Sequence, residues 1–355
     1  MNSWLLAFIV ALLTSLIVTR LVMAIGISDQ PDEARKLHKK VTPTSGGIGI
    51  MAGISSGLAY GALNLEIGLY PKIYACIVLA IVGGGLGLLD DIKAMGSKRK
   101  LLFMLIATSG FAVFGARIET LMISPNLAVP LGIIIGSIGT IFWLLVMVNT
   151  VNFMDGANGM AMGCAALGLL GLWALNIAHM PSNTLFKNEG GDDFAFVAFV
   201  GGAACIGFLF WNAVSGKVFA GDCGALSVGL LCGSLGVFAV IAGVNALAVA
   251  TCFLPMLTDV ILTVIVRIKR RQNVLLAHSD HAYQVAIRHG ASHVYTAGRY
   301  WLATFFCVVS ACVGEAKGGW LPAGLFVFWV VMLSAIYFAT LHIVAESKKQ
   351  GDIKG

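Results

Sequence analysis

Apolar runs long enough to cross a bilayer recur along almost the whole chain. A spanning α-helix needs about 20 predominantly apolar residues. Eleven runs approach or exceed that length, at 4–27, 46–63, 73–89, 101–116, 129–148, 157–178, 194–211, 225–243, 245–266, 299–315 and 320–343. Only 11% of the residues are charged, which is less than half of the roughly 25% that soluble domains carry. We therefore predict an all-α polytopic integral membrane protein of about eleven transmembrane helices, forming one domain over residues 1–355.

Lysine and arginine concentrate in every second loop between these runs. Seventeen of the 23 basic residues lie in one set of loops, and four lie in the other set. The richer set comprises 28–45, 90–100, 149–156, 212–224, 267–298 and the tail at 344–355. Because basic loops mark the cytoplasmic side of a membrane protein, this bias predicts an external N-terminus and a cytoplasmic C-terminus. The net charge of +6 arises mostly on this side and suits anionic headgroups and substrates, so it does not indicate nucleic acid.

Two adjacent carboxylates, Asp90 and Asp91, end one apolar run, and Lys100 opens the next. Neighbouring carboxylates repel, and partial burial disfavours their charged forms. A bound cation, or a proton to be accepted from a substrate, would account for the pair. Simple solvation of a helix end is the structural alternative.

The stretch "VNFMDGANGM" places Asn152, Asp155 and Asn158 three residues apart at the seam between two apolar runs. If the helix continues through the seam, the three side chains share one face. Carboxylate and amide oxygens there would suit Mg²⁺ or hydrogen bonds from a nucleobase. Capping of the following helix by Asp155 or Asn158 is the alternative.

Further candidate residues lie in the other predicted cytoplasmic loops. In "WNAVSGKVFAGDCG", Asp222 lies between glycines that permit close approach of the backbone to a ligand. Phe219 in this stretch would stack on a base and Lys217 would contact a phosphate, whereas helix capping is the alternative role for Asp222. The loop at 267–298 is basic, and its His278 and His281 would share a face if they lie on a helix. Asp259 lies about two turns from the cytoplasmic end of its run. It either lines a cytoplasmic cleft together with these loops or forms hydrogen bonds in helix packing.

Taken in order, these motifs resemble those of the polyprenyl-phosphate N-acetylhexosamine-1-phosphate transferases. The resemblance covers nearly the whole chain and rests on "RKLHKKVTPTSGG", "DD" followed ten residues later by Lys100, "NTVNFMDGANG", "WN…KVFAGDCG", "PMLTD" and "HSDHAYQ". It implies ten or eleven helices around a cytoplasmic cleft, commonly in a homodimer of the bacterial inner membrane. The "HxxHAYQ" ending, from His278 to Gln284, is most similar to enzymes that start O-antigen or capsule chains with a 6-deoxy-N-acetylhexosamine.

The resemblance also implies an activity and a set of roles. The family transfers a sugar-1-phosphate from a UDP-N-acetylhexosamine, here GlcNAc or a 6-deoxy sugar such as FucNAc or QuiNAc, to undecaprenyl phosphate and releases UMP. Asp222 and Asn152, with Asp155 nearby, would hold Mg²⁺, for which Mn²⁺ would substitute, and Asp90 or Asp91 would take a proton from the lipid phosphate. The remaining residues expected to bind substrate are Lys100, Asn158, Asn212, Lys217, Phe219, His278, His281, His38, Lys39, Arg270 and Arg271.

Some choices stay open at the level of sequence. A covalent aspartyl-phosphate intermediate is the rival of direct attack by the lipid phosphate. Asn158 stands where the family usually has Asp, and Ala225 where it usually has Ser. These departures keep an inactive scaffold as an alternative. A secondary transporter is the alternative from another class, but it would need ionisable residues near the middle of the membrane.

Overall fold

The computed structural model describes residues 2–25, 28–29, 42–43, 46–65, 69–124, 127–179, 191–274, 276 and 278–352. Within these ranges the chain is almost entirely helical, with two short antiparallel hairpins, β1–β2 and β3–β4. The helices are α1 (Asn2–Ile25), α2 (Gly46–Asn64), α3 (Tyr74–Ile92), α4 (Ser97–Gly110), α5 (Gly132–Met154), α6 (Met160–His179), α7 (Gly191–Leu209), α8 (Gly221–Ile241), α9 (Ala246–Thr251), α10 (Leu254–Lys269), α11 (Ala282–Arg288), α12 (His293–Lys317) and α13 (Leu321–Asp352). The strands are β1 (Ser28–Asp29), β2 (Thr42–Pro43), β3 (Thr120–Ser124) and β4 (Leu127–Pro130).

In the described part of the chain, nine helices are long and apolar enough to span a membrane: α1, α2, α3, α5, α6, α7 with its continuation, α8, α12 and α13. The prediction of an all-α polytopic membrane protein is therefore confirmed. The other two apolar runs are also helical. The run at 101–116 forms α4 and a π-helical turn at Phe111–Gly115. The run at 245–266 is broken into α9 and α10, because Pro255 at the start of α10 lacks the N–H that a continuous helix would use.

Helix α8 forms the centre of the bundle and is buried along nearly its whole length. Small residues let its neighbours approach closely, as is usual for helix packing in lipid. A Cβ added at Gly83 of α3 would lie 2.5 Å from Leu230 of α8, and one at Gly229 of α8 would lie 2.8 Å from the Cα of Val148 in α5. The middle of α8 is therefore held closely against α3 and α5.

The β3–β4 hairpin lies at the other end of the bundle and was not predicted from the sequence. Its strands pair from Thr120 with Pro130 to Ser124 with Leu127. The amide of Leu131 donates to the carbonyl of Glu119 at 2.8 Å, which closes the hairpin onto the start of α5. The hairpin is therefore separated from the first turn of α8 by the length of the spanning helices.

Candidate active site

Four side chains from four helices meet where α3, α4, α5 and α8 come together. The ammonium of Lys100, in the first turn of α4, lies 2.6 Å from Oδ2 of Asp90 at the end of α3 and also forms an ion pair with Asp222 in α8. The amide Nδ2 of Asn152, near the end of α5, donates to Oδ1 of Asp222 at 2.7 Å. These four residues form what we call the carboxylate cluster. The alternative that Asp222 simply caps α8 does not hold, since the N-cap residue is Ala220 and both carboxylate oxygens of Asp222 pair with Lys100 and Asn152.

Asp90 and Asp91 are adjacent in sequence but contact different partners. Oδ1 of Asp90 accepts from the amide of Met95 at 2.6 Å, and its other oxygen faces Lys100. Asp91 accepts from two backbone amides at the start of α8, those of Asp222 at 3.0 Å and Cys223 at 3.1 Å. Both of its oxygens therefore satisfy donors that the first turn of a helix leaves unpaired. Asp91 caps α8 from a neighbouring helix and thereby positions Asp222.

Glycines make this close approach of α3, α2 and α8 sterically feasible. A Cβ on Gly87 of α3 would lie 2.2 Å from the carbonyl oxygen of Asp222, and one on Gly47 of α2 would lie 2.2 Å from the amide of Gly224. The amide of Gly47 also donates to the carbonyl of Ala220 at 3.0 Å. Any larger residue at 47 or 87 would push against the backbone that carries the cluster.

The seam between α5 and α6 is a turn and not a continuous helix. Helix α5 ends at Met154, with Asp155 at its C-cap, and Gly159 adopts a positive φ of 77° before α6 begins. The predicted common helical face of Asn152, Asp155 and Asn158 is therefore wrong. Asn152 lies on the helix, whereas the other two lie in the turn. Of the three, only Asn152 has a described hydrogen bond to Asp222.

The seam residues nevertheless lie close to the cluster. Burial, together with the charges of Asp222 and Asp91, raises the pKa of the Asp155 carboxyl well above its usual range. Asn158 packs beside Gly216, where a Cβ would lie 3.1 Å from its Nδ2. The turn thus brings Asp155 to the cluster and Asn158 to the loop before α8.

Both polar atoms of the Asn212 side chain form hydrogen bonds to backbone groups of the protein. Its Oδ1 accepts from the amide of Gly159 at 2.5 Å, and its Nδ2 donates to the carbonyl of Val218 at 2.7 Å. The side chain is buried, within a π-helical turn at Phe210–Val214 that follows α7. Asn212 therefore joins the α5–α6 turn to the loop before α8, whereas the resemblance implied that it binds substrate.

Asp259 positions the segment that carries His278 and His281 before α11, which we call the histidine loop. It is buried, and its carboxylate accepts from the amides of Ala282 at 3.0 Å and Tyr283 at 3.2 Å at the start of α11. The hydroxyl of Tyr300 also donates to it, at 2.5 Å. His281 lies 3.4 Å away at Nδ1. Of the two roles considered from the sequence, Asp259 has the hydrogen-bonding one.

The two histidines of this loop are neighbours, but not on a helix face. His278 precedes α11 and His281 is the N-cap residue of α11, so the helical arrangement expected from their spacing is wrong. Their ring centroids lie 5.0 Å apart, and the ring of Phe153 at the end of α5 lies 5.8 Å from that of His281. Burial, with the nearby His281 and Arg267, lowers the pKa of His278 to about 4. At neutral pH His278 is therefore uncharged.

A second contact fastens this loop to the seam. The hydroxyl of Tyr283, in α11, donates to the carbonyl of Phe153 at 2.8 Å, one residue beyond Asn152. A Cβ on Gly156 would lie 2.3 Å from the same hydroxyl oxygen. The histidine loop therefore packs directly on the turn that follows the carboxylate cluster.

The structure places the remaining predicted residues less closely. Lys217, Arg270 and Arg271 are exposed, and the described contacts do not connect them to the carboxylate cluster. Phe219 is half-buried, and its carbonyl accepts from the amide of Gly46 at 3.1 Å. His38 and Lys39 lie outside the described residues.

Comparison with known proteins bears on the region that supplies the cluster. A model of the family described as glycosyl transferase family 4 matches residues 72–240, which contain all four residues of the carboxylate cluster. Over these residues the chain is similar to glycosyl transferase family 4. This confirms the superfamily that the sequence motifs indicated, that of the polyprenyl-phosphate N-acetylhexosamine-1-phosphate transferases.

Several curated bacterial proteins are similar to most of the chain. A probable undecaprenyl-phosphate N-acetylglucosaminyl 1-phosphate transferase of Bacillus subtilis (strain 168) is 27% identical, over 96% of this chain and 90% of that protein. A phospho-N-acetylmuramoyl-pentapeptide-transferase of Streptomyces avermitilis is 27% identical over 81% of this chain and 88% of its own length. One from Mycobacterium marinum is 28% identical over 80% and 87%.

Proposed function

We propose that this protein transfers an N-acetylhexosamine-1-phosphate from a UDP-sugar to undecaprenyl phosphate and releases UMP. The observation that carries the proposal is the carboxylate cluster, in which Lys100 bridges Asp90 and Asp222 beside Asn152. The named activities of the bacterial relatives support the same reaction class. A transporter is less well supported, because the cluster lies where helices end and not midway along them.

Charge is the main obstacle that such a site has to overcome. A diphosphate and a lipid phosphate must approach within bonding distance, and catalysis of phosphoryl transfer consists mostly of positioning and charge neutralisation. The cluster holds two carboxylates and one ammonium, and Asp91 adds a third carboxylate immediately behind it. Lys100 alone therefore leaves a net negative site, which a bound cation would have to compensate.

The oxygen atoms of the carboxylate cluster suit an Mg²⁺ ion whose remaining ligands come from the substrate phosphates. Mg²⁺ is usually bound by one or two carboxylates plus substrate phosphates and water, and it prefers oxygen ligands. Among the described residues no three His, Cys, Asp or Glu side chains are grouped to hold a metal by themselves. Asp222 and Asn152 would therefore hold the ion, with Asp155 near it. The ion would neutralise the diphosphate.

Asp90 is the better candidate for the base that accepts the last proton of the lipid phosphate. The second pKa of a phosphate monoester is about 6, so near neutral pH only a minor fraction of the lipid phosphate still carries this proton, and the base acts on that fraction alone. Both oxygens of Asp91 are engaged by backbone amides, whereas Asp90 has an oxygen directed at Lys100 within the cluster. Direct attack by the lipid phosphate then requires a single step. Exchange of labelled UMP into UDP-sugar without lipid acceptor would instead support an aspartyl-phosphate intermediate.

The histidine loop and the seam would hold the rest of the substrate. His278, uncharged at neutral pH, can donate one N–H to a phosphate, while its Nδ1 is 3.4 Å from the amide of Asp280. Asn158 and Phe219 lie on the loop side of the cluster, where the uridine would bind. Lys217, Arg270 and Arg271, with His38 and Lys39, would supply long-range attraction for the anionic substrates.

The reaction is tested by release of UMP from UDP-sugars in membranes that contain undecaprenyl phosphate. Wild-type protein should release UMP, and EDTA should abolish release until Mg²⁺, or less effectively Mn²⁺, is restored. Asp222→Ala and Asp90→Asn should each remove more than 99% of the activity, whereas Glu346→Gln, an exposed acid in α13, should not change it. Undiminished release in both cluster variants would contradict the proposal.

Our proposal also covers the sugar, the cellular role and the orientation of the protein in the membrane. A UDP-N-acetylhexosamine such as UDP-GlcNAc is supported by the relative that matches 96% of the chain, and O-antigen or capsule synthesis is supported only by the "HAYQ" ending. The basic loops support a cytoplasmic active site and C-terminus, and a homodimer stays a prediction. Incubation with a panel of UDP-N-acetylhexosamines, followed by mass analysis of the lipid product, would identify the sugar.

A further inference from the structure

A cavity lies at the opposite end of the helices that carry the carboxylate cluster. It is formed where α3 begins, where the π-helical turn after α4 leads into β3, and where α8 ends. Its volume is about 540 Å³, within the range of cavities that bind small molecules. Since α8 has 21 residues, this cavity is roughly 30 Å from Asp222.

Two cations and one carboxylate line this cavity. Lys72 is exposed and forms no ion pair with any residue that the structure describes. Arg117 donates from Nη2 to Oε1 of Glu119 at 2.7 Å. Its Nε–H is buried and lacks a hydrogen-bond partner within the described ranges. The described lining therefore carries a net charge of +1, with one buried donor that lacks a hydrogen-bond partner, the Nε–H of Arg117, and one ammonium that forms no described ion pair, that of Lys72.

An apolar wall faces these charges. Phe238, Val240 and Ile241, in the last turn of α8, line the cavity together with Ile118 and Met122. The cavity lies where membrane-spanning helices begin and end, so its occupant would be at the level of the lipid headgroups. This combination suits a ligand with an anionic head and an apolar body.

We propose that this cavity binds the headgroup of an anionic phospholipid, with the phosphodiester at Lys72 and Arg117 and the acyl chains along the end of α8. Phosphate oxygens would accept hydrogen bonds from the Lys72 ammonium and the unsatisfied Nε–H of Arg117. A phosphodiester carries a single negative charge, which matches the net charge of the described lining. A polyprenyl phosphate is a monoester with close to two negative charges, so its binding would leave the site with a net negative charge.

The experiment measures lipid retention by the purified full-length chain. Native mass spectrometry would follow phosphatidylglycerol bound against a background of phosphatidylcholine. Loss of a charge-assisted contact should weaken phosphatidylglycerol retention about tenfold in Lys72→Gln. Lys317→Gln is the matched control, because Lys317 is an exposed cation at the same end of the bundle but outside the cavity. Glu119→Gln removes the competing carboxylate and should strengthen retention.

Each outcome distinguishes the proposal from its rivals. Equal retention in Lys72→Gln and Lys317→Gln would overturn the site. Tighter binding of polyprenyl phosphate than of phosphatidylglycerol, dependent on Lys72, would overturn the assigned lipid, and so would displacement by millimolar inorganic phosphate. If Lys72→Gln does not fold, salt applied to the wild type provides the test: retention of phosphatidylglycerol must fall with ionic strength while that of phosphatidylcholine does not. The readout is bound lipid, so failure here leaves the proposed transferase reaction untouched.

Discussion

Neighbouring residues of one helix can take unrelated tasks, and the Asp90–Asp91 pair is an example. Successive side chains of an α-helix point about 100° apart, so only one of two adjacent residues faces a given neighbour. Here Asp91 faces the first turn of α8 and Asp90 faces Lys100. The sequence predicted that both matter, but the choice between them depends on where α8 packs, which the sequence of α3 does not specify.

This division predicts different consequences for two matched substitutions. Asp90→Asn should reduce kcat at least a hundredfold and leave the melting temperature of the detergent-purified protein nearly unchanged. Asp91→Asn keeps one acceptor but loses the other, which should cost about 1–3 kcal/mol of stability and raise KM. Thermal unfolding and UMP release measured on the same preparations would check both. Equal loss of kcat with equal stability in the two variants would contradict the division.

Four residues of the carboxylate cluster were predicted from the sequence because their chemistry is unusual for a membrane protein. A carboxylate, an amide or a lysine at the end of an apolar run has few structural uses, so its presence there indicates function. Asn212 is a different case, since an amide that satisfies two backbone groups has the same sequence signature as one that binds a base. The sequence of a buried polar residue does not reveal its partners.

At the level of elements, the close contact between α3 and α8 sets the position of Asp222. Gly87 is in contact with the backbone of Asp222, whereas Gly85 on the same helix has nothing within 4 Å of its would-be Cβ. Both glycines lie in the same apolar "GGGLG" stretch and look equivalent in sequence. Packing alone separates them.

Gly87→Ala and Gly85→Ala therefore form a matched pair. Overpacking typically costs about 1–3 kcal/mol, so Gly87→Ala should lower the melting temperature and reduce UMP release at least tenfold by displacing Asp222. Gly85→Ala should be neutral or slightly stabilising, because Ala is the better helix former. The same two measurements apply to both variants. A Gly87→Ala protein with wild-type activity would mean that α3 does not constrain α8.

Two carboxylates, the half-buried Asp91 and the buried Asp259, play the same part at different helices. Each accepts two successive backbone amides in the first turn of a helix, α8 for Asp91 and α11 for Asp259. Both helix starts carry residues assigned to the substrate site. Capping from a neighbouring helix is invisible in the sequence, because the capping residue is about 20 or more residues away from the helix it caps.

The contact between α11 and the end of α5 should affect substrate binding more than folding. Tyr283→Phe removes one hydrogen bond, that to the carbonyl of Phe153, and should cost only about 1 kcal/mol of stability. It should raise KM for the UDP-sugar several-fold, since the histidine loop loses its link to the seam. Tyr295→Phe, at an exposed position in α12, is the control and should have no effect. A change in kcat alone would argue against this positioning role.

For the whole molecule, the lengths of the apolar runs predicted almost every long helix, because the membrane fixes the length of each span. Irregular segments were predicted less well. The β3–β4 hairpin and the turn that ends α5 at Met154 depend on contacts with other parts of the bundle, whereas the break between α9 and α10 follows from Pro255 and was missed in the sequence. The turn is the most consequential, because it separates Asn152 from the two residues that its spacing had grouped with it.

The distribution of basic residues predicts which end of the bundle faces the cytoplasm, and this orientation is testable without any assay of activity. Among the described residues, seven of the native cysteines are buried and the eighth, Cys312, is half-buried, so an introduced exposed cysteine should react first. Lys98→Cys lies at the end with the carboxylate cluster, and Lys317→Cys lies at the opposite end. In sealed spheroplasts a membrane-impermeant maleimide should label Lys317→Cys at once and Lys98→Cys only after permeabilisation. The reverse pattern would place Asp90 and Asp222 outside the cell, away from nucleotide sugars, and the transfer reaction would then lack its donor.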